Sequence, residues 1–303
     1  MYNFFSLSAL TILAAGCAAK DAPVEPAAEA EVEAAAPAVE AEAAAPESTT
    51  TPVAEVKWAP FNPEEPEGIQ LSLVQGNPKD GAFTALVKLP MGHGSPIHSH
   101  PANFSGVALS GTVQNGRTAE DNVAMKAGTV WTQPAEEIHF TGCTGDAECI
   151  MVAHMEGAMG MTPAEAPVEG DMGMLVTSAD DMAFEPVNPE KPEGVQMFVV
   201  SGDKATGAFR AVVKFPAGAA TPEHTHSSTY SGVVLSGSMS HGGEDTLDAG
   251  SYWTEVGGQA HQTNCVSEEP CVFFASMDGA FDMTPTEAPA EEAAEEAAEE
   301  AAE

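Results

Sequence analysis

Two stretches of the chain carry histidines in the same spacing. His98-Ser99-His100 is followed by His139, and His224-Thr225-His226 is followed by His261. Side chains alternate along a β-strand, so histidines at i and i+2 point to one face. A third imidazole from a later strand then completes a facial set of three. Neutral imidazole suits first-row divalent metals, and three protein ligands leave coordination positions for water or a substrate. The pattern predicts one metal at His98, His100 and His139 and another at His224, His226 and His261. Fe(II), Zn, Mn and Ni are the candidate ions. The bland alternative is a polar strand face wetted by solvent, and the double occurrence of the set weighs against it.

These residues lie in a tandem duplication. Asn62-Pro63-Glu64-Glu65-Pro66-Glu67-Gly68 returns as Asn188-Pro189-Glu190-Lys191-Pro192-Glu193-Gly194. The same offset runs through Gly76/Gly202, Pro90/Pro216 and Gly111/Gly237. After a short deletion a new offset holds through Trp131/Trp253, His139/His261, Cys143/Cys265 and Cys149/Cys271. Of the other histidines, His93 faces Ala219, His154 faces Ser276, and His241 lies by the deletion. Each copy reads as short β-rich runs, in the first at 69–74, 82–89, 106–114, 129–132, 138–141 and 149–154, without helical periodicity. The expectation is an all-β chain of two tandem sandwiches, jelly rolls or small barrels. The expected segments are a signal peptide (1–17), a disordered tether (18–56), module one (57–165), a linker (166–180), module two (181–289) and a tail (290–303).

Gly92, His98, His100, Phe104 and Gly111, followed by Gly128, Pro134, Glu136 and His139, are spaced like the two motifs of the cupin superfamily. Gly218, His224, His226, Tyr230 and Gly237, then Gly250, Gly258 and His261, repeat them. The chain thus resembles a double cupin, or bicupin, closest to an uncharacterised cupin group. The resemblance implies two jelly-roll β-barrels, each with a metal inside. Cupins usually place Glu where this chain has Phe104 and Tyr230, so the implied sites are three-histidine sites, an arrangement found in some cupin dioxygenases with ferrous iron. Tyr230 is a candidate catalytic residue, because a phenol beside a metal can ligate, donate a hydrogen bond or act as an acid. Glu137 is a candidate substitute ligand or general base, although its counterpart is Gln259. Three functions compete: a metal-dependent dioxygenase or related enzyme acting on a small molecule, a noncatalytic small-ligand binder, and a metal or redox sensor at the cell surface.

Cys143/Cys149 and Cys265/Cys271 are matched pairs. The repeat favours one disulfide inside each module over a Cys-His metal cluster. The methionines Met151, Met155, Met159, Met161, Met172 and Met174 invite a Cu(I) site, but Met151 and Met159 align with Phe273 and Phe281, as apolar packing positions would.

The apolar run 7–15 is shorter than a membrane span and suits a secretory signal. Leu13-Ala14-Ala15-Gly16-Cys17 resembles a lipobox, making Cys17 the candidate lipidation site and the membrane a partner through that anchor alone. Residues 18–55 are nearly all Ala, Glu, Pro, Val and Thr, and the Glu-Glu-Ala-Ala tail lacks basic partners; both are expected to be disordered or, in the tail, a frayed helix. The chain has 303 residues, 46 acidic against 10 basic, and a formal net charge of −36. That charge excludes a phosphate-backbone binder, so no nucleic-acid partner is expected. The expected partners are a small molecule and, in a homodimer, a second copy of the chain, in a periplasmic or cell-surface location.

Overall fold

The computed structural model describes residues 47–167, 169–243 and 245–286. The signal peptide with Cys17, most of the tether and the 290–303 tail lie outside them. Among the described residues there is no α-helix, only strands and two 3-10 turns, Val53–Glu55 and Ala179–Asp181. The fold is two cupin-type jelly-roll barrels, each built on a seven-stranded antiparallel sheet.

In the first barrel the central strands are Phe104–Ser110, Cys149–Met155, Phe83–Leu89 and Gln70–Gly76, hydrogen-bonded in that order. In the second they are Tyr230–Ser236, Cys271–Met277, Phe209–Phe215 and Gln196–Gly202. A three-stranded sheet folds over each, containing Thr112–Gly116 and Phe140–Thr144 in one and Ser238–His241 and Thr263–Cys265 in the other. The run expected as one strand over 106–114 breaks at Gly111, which lies at φ +72°. That left-handed conformation turns the chain from the large sheet into the small one, and a Cβ there would stand 2.8 Å from Cys149 Sγ. Both expected disulfides are present, Cys143–Cys149 and Cys265–Cys271. Each ties the strand following the third histidine to the central sheet.

The large sheets are buried on both faces. Phe83, Ala85, Val87 and Leu89 fill the first barrel, and Phe209, Ala211, Val213 and Phe215 fill the second. The alternate residues Leu86, Val152, Val212 and Phe274 pack together between the barrels. Double burial explains why Ala85-Leu86-Val87 and Ala211-Val212-Val213 read as continuous apolar runs. Polar atoms also cross this interface. Thr84 Oγ1 donates to Ser276 Oγ at 3.0 Å, Ser105 and Ser201 share a 3.0 Å bond, and Gln75 Nε2 donates to Asp278 Oδ2 at 2.7 Å.

Two short strands depart from the expected boundaries. Thr49–Thr51, expected in the tether, pairs with Tyr252–Glu255 of the second barrel. Leu175–Thr177, expected in the linker, pairs with Val130–Gln133 of the first. Each barrel's sheet is therefore edged by a strand that precedes the other barrel in sequence. Low-complexity composition concealed the first strand. Three consecutive threonines have strong β-propensity once an open sheet edge supplies the hydrogen bonds.

Gly106 and Gly232 sit opposite Trp131 and Trp253 on neighbouring strands. A Cβ at Gly232 would stand 2.1 Å from Trp253 Cζ2, and one at Gly106 2.2 Å from Trp131 Cζ2. Gly232→Ala should therefore cost about 3 kcal/mol of stability through overpacking, read as a drop in denaturation midpoint.

His154 is buried between the barrels, its Nδ1 2.9 Å from Thr84 Oγ1. Burial, and then the nearby Arg210 guanidinium, lower its pKa from 6.5 to about 3. Unfolding would return it to 6.5, so the unfolded chain binds the extra proton. This contribution to stability is complete above pH 6.5 and declines as pH falls towards about 3, by at most about 1.4 kcal/mol per pH unit. His154→Gln should flatten the dependence of thermal midpoint on pH across that window, relative to wild type.

Candidate metal centres

His98 lies on the two-residue strand His98–Ser99, with His100 two residues on and His139 opposite. His98 N–H donates to His139 O at 2.9 Å and His139 N–H returns a bond at 2.8 Å. His224 and His261 repeat the exchange at 3.0 and 2.9 Å. This backbone pairing brings side chains 41 or 37 positions away into one cluster, because the strand pairing is antiparallel and in register. In each barrel one ligand atom from each of the three histidines lies within 4.8 Å of the others. Imidazole centroids in the first barrel are 4.5, 4.9 and 5.2 Å apart, and in the second 4.4, 4.8 and 5.2 Å.

All six imidazoles are oriented by a backbone carbonyl. His98 Nδ1 bonds Pro96 O at 2.8 Å, His100 Nδ1 bonds Gly160 O at 2.6 Å, and His139 Nδ1 bonds Glu137 O at 2.9 Å. In the second barrel the acceptors are Pro222 O at 2.8 Å, Asp282 O, and Gln259 O at 3.2 Å. A carbonyl only accepts, so each Nδ1 carries the proton and each Nε2 presents a lone pair. Burial lowers the pKa of His98, His100 and His226, and brings His139 to about 3 and His261 to about 4, which keeps these rings neutral at neutral pH.

The donor set fits a divalent first-row metal. His139 Nε2 is buried with no hydrogen-bond partner. His224 Nε2 and His226 Nε2, both lone-pair bearers, face each other at 3.2 Å. Two nitrogens each about 2.1 Å from one ion stand about 3 Å apart, so a cation converts a repulsive contact into a ligand pair.

Glu137 reaches the site through its backbone carbonyl. Its carbonyl holds His139, and its side chain is absent from the converging ligand atoms. Any residue can fill that carbonyl role, as Gln259 does in the second barrel, while Glu137 Oε1 is itself buried without a hydrogen-bond partner. The preceding Glu136 takes φ +62°, where its counterpart is Gly258, and both donate their N–H to the middle histidine's carbonyl, at His100 O and His226 O.

Tyr230 Oη reaches His261 Nε2 at 3.2 Å, whereas Phe104 places only a ring edge among the first set. Burial raises the Tyr230 pKa, so the phenol keeps its proton. Behind Tyr230 lies a dyad that the alignment around the deletion obscured. His241 pairs with Thr263 in the small sheet as Asn115 pairs with Thr141, so these two are counterparts. His241 stacks on Trp253, its Nδ1 lies 2.9 Å from Thr263 Oγ1, and its Nε2 lies 3.1 Å from Glu255 Oε2. Ser48, ahead of the exchanged Thr49–Thr51 strand, donates to Glu255 Oε1 at 2.5 Å. Burial works to raise the Glu255 pKa, but hydrogen bonds from His241 and Ser48 outweigh it, and the carboxyl stays ionised. Burial lowers the His241 pKa against the pull of Glu255, so a neutral ring donates Nε2–H to the carboxylate. In the first barrel Asn115, Gln133 and Met174 occupy the places of His241, Glu255 and Ser48. The amides of Asn115 and Gln133 are buried without partners. The sequence signal available was the paired change of two polar residues, Asn to His and Gln to Glu, at equivalent positions.

The six methionines do not form a copper site. Met151 and Met155 are core residues of the first barrel, Met159 and Met174 pack against that core, and Met172 is buried separately. Met161 is exposed.

Known structures share the fold at low identity. A candidate dioxygenase from Nostoc punctiforme is 13% identical with a TM-score of 0.65, covering 80% of this chain and 87% of that one. Oxalate decarboxylase from Lactobacillus farciminis is 11% identical with a TM-score of 0.53, over 80% and 89%. A salicylate 1,2-dioxygenase from Pseudaminobacter salicylatoxidans is 13% identical with a TM-score of 0.50, over 65% and 71%. No curated protein sequence matches. The family model described as a domain of unknown function, DUF4437, matches residues 49–286, beginning at the first residue of the exchanged strand. With two cupin barrels inside that span, the chain belongs to the DUF4437 family.

Proposed function

We propose that the chain is an exported, metal-dependent enzyme of the dioxygenase type acting on a small molecule, with the second barrel as the reactive one. The carrying observation is a cavity of ≈ 320 Å³ lined by His224, His226 and Tyr230. His98, His100 and His139 would hold one ion, and His224, His226 and His261 the other. A bound divalent ion supplies Lewis acidity and, as iron, electrons for dioxygen. The chain's residues supply the rest. Six carbonyls fix the ligand tautomers, apolar side chains wall the cavity beside the ligands, and Tyr230 Oη holds a proton beside His261 Nε2, where a substrate oxygen can receive its hydrogen bond. Phe104 offers no such donor, so the first barrel binds metal as a structural or sensing centre. That is also the second reading for the whole chain: a noncatalytic ligand-binding or metal-sensing protein.

Export rests on the lipobox-like segment ending at Cys17 and on two disulfides, which persist in oxidising compartments. No helix among the described residues is long and apolar enough to cross a membrane. Attachment is assigned to lipid on Cys17.

Protein purified without chelator should carry two metal ions per chain by elemental analysis. His226→Ala and His100→Ala should each remove one. Absence of stoichiometric metal in wild type would overturn the enzyme and sensor readings together.

In His100→Ala loaded anaerobically with Fe(II), only the second barrel holds iron. Nitric oxide should then give the high-spin EPR signal of an iron with an open ligand position. Loaded iron that gives no signal would favour the noncatalytic reading.

A further inference from the structure

The cavity of the second barrel also describes what it takes. Its walls include Phe209, Phe215, Phe273, Phe281, Met197 and Met277. Several rings already stand edge-on or tilted to one another, Phe209 and Phe281 at 6.4 Å and Phe215 and Phe273 at 6.0 Å. Such walls favour an aromatic guest through offset and edge-to-face contacts. An engineered apolar cavity of about 150 Å³ accommodates benzene, so ≈ 320 Å³ suits a guest of about two rings.

The charge at the rim is as specific as the walls. Among the described residues that line the cavity, Lys191 is the one Lys or Arg, and none is an Asp or Glu. Lys191 belongs to the duplicated Asn188–Gly194 loop, where two successive turns, Lys191 N to Asn188 O and Gly194 N to Lys191 O, both at 2.9 Å, shape the segment. Glu190 and Glu193 flank Lys191 in sequence but do not line the cavity. The first barrel builds the same loop, Glu65 N to Asn62 O and Gly68 N to Glu65 O, but with Glu65 in place of Lys191. It also places His93, close enough to feel the Glu65 charge, where the second barrel has Ala219 in the cavity wall. One mouth is therefore cationic and apolar, and the other carries a carboxylate and an imidazole.

We propose that the second barrel, and not the first, binds a flat, largely apolar monoanion of about two rings, its carboxylate turned towards Lys191. This rests on the reading of the second barrel as the reactive one and narrows its substrate class.

The test is calorimetry on the full chain loaded with zinc, which binds without turnover. 1-Naphthoate should bind at one site per chain and more tightly than neutral 1-naphthalenemethanol. Lys191→Glu should weaken naphthoate by about tenfold, while Glu65→Lys leaves it unchanged. Two equivalent sites, equal affinity for the neutral alcohol, or indifference to Lys191→Glu would overturn the proposal. Zinc that loads without naphthoate binding sinks the substrate class and spares the metal reading. Naphthoate that binds in the predicted manner to a chain that takes up no metal sinks the metal reading and spares the cavity assignment.

Discussion

Six hydrogen bonds from imidazole Nδ1 to backbone carbonyls are the constraint on which the rest of the molecule depends. Each fixes a tautomer, and together they aim two sets of three Nε2 lone pairs inward. Lone pairs of like polarity repel, so this convergence persists only where the acceptor carbonyls and their strands are held rigidly. The antiparallel backbone exchange between His98 and His139, the disulfide after each third histidine, and the buried tryptophans across Gly106 and Gly232 supply that rigidity. The carbonyl requirement also explains the tolerance of Glu137 and Gln259 at one position, since only the main chain is used.

Much of this was legible in the residues because β-structure has a period of two. His-x-His puts two imidazoles on one face without knowledge of the fold, and the duplication sorted the six clustered histidines from His93, His154 and His241. Both disulfides and the all-β class followed from the same internal comparison. Three things were not legible. The edge strands Thr49–Thr51 and Leu175–Thr177 are too short to carry periodicity, and their pairing partners are about 200 and 45 residues away. The contact between barrels was hidden because strands buried on both faces lose the alternation that marks a solvent face. His241 was obscured because the deletion follows it closely, and only the pairing of the small sheet puts it opposite Asn115.

The two sites share ligands and differ in what supports them. In the first, buried Asn115 and Gln133 amides lack partners, and Phe104 closes the site with a hydrocarbon ring. In the second, an ionised Glu255 is satisfied from both sides by His241 and Ser48, and Tyr230 brings a hydroxyl to His261. A buried carboxylate is tolerable only when its lone pairs are met. The Gln-to-Glu change is thus coupled to the Asn-to-His change beside it and to the serine that arrives from outside the barrel.

That serine carries the last consequence. Ser48 also accepts the Val256 N–H at 2.9 Å, so one side chain satisfies both a carboxylate and the backbone next to it. It is delivered by a strand that precedes the first barrel but completes the sheet of the second. Loss of that strand would leave Glu255 buried with one hydrogen bond fewer, raise the cost of its charge, and loosen the His241 ring that packs on His261. The segment joining the barrels to the N-terminal region is therefore a structural part of the second metal site. The exchanged strands make each barrel's sheet depend on chain that lies ahead of the other barrel.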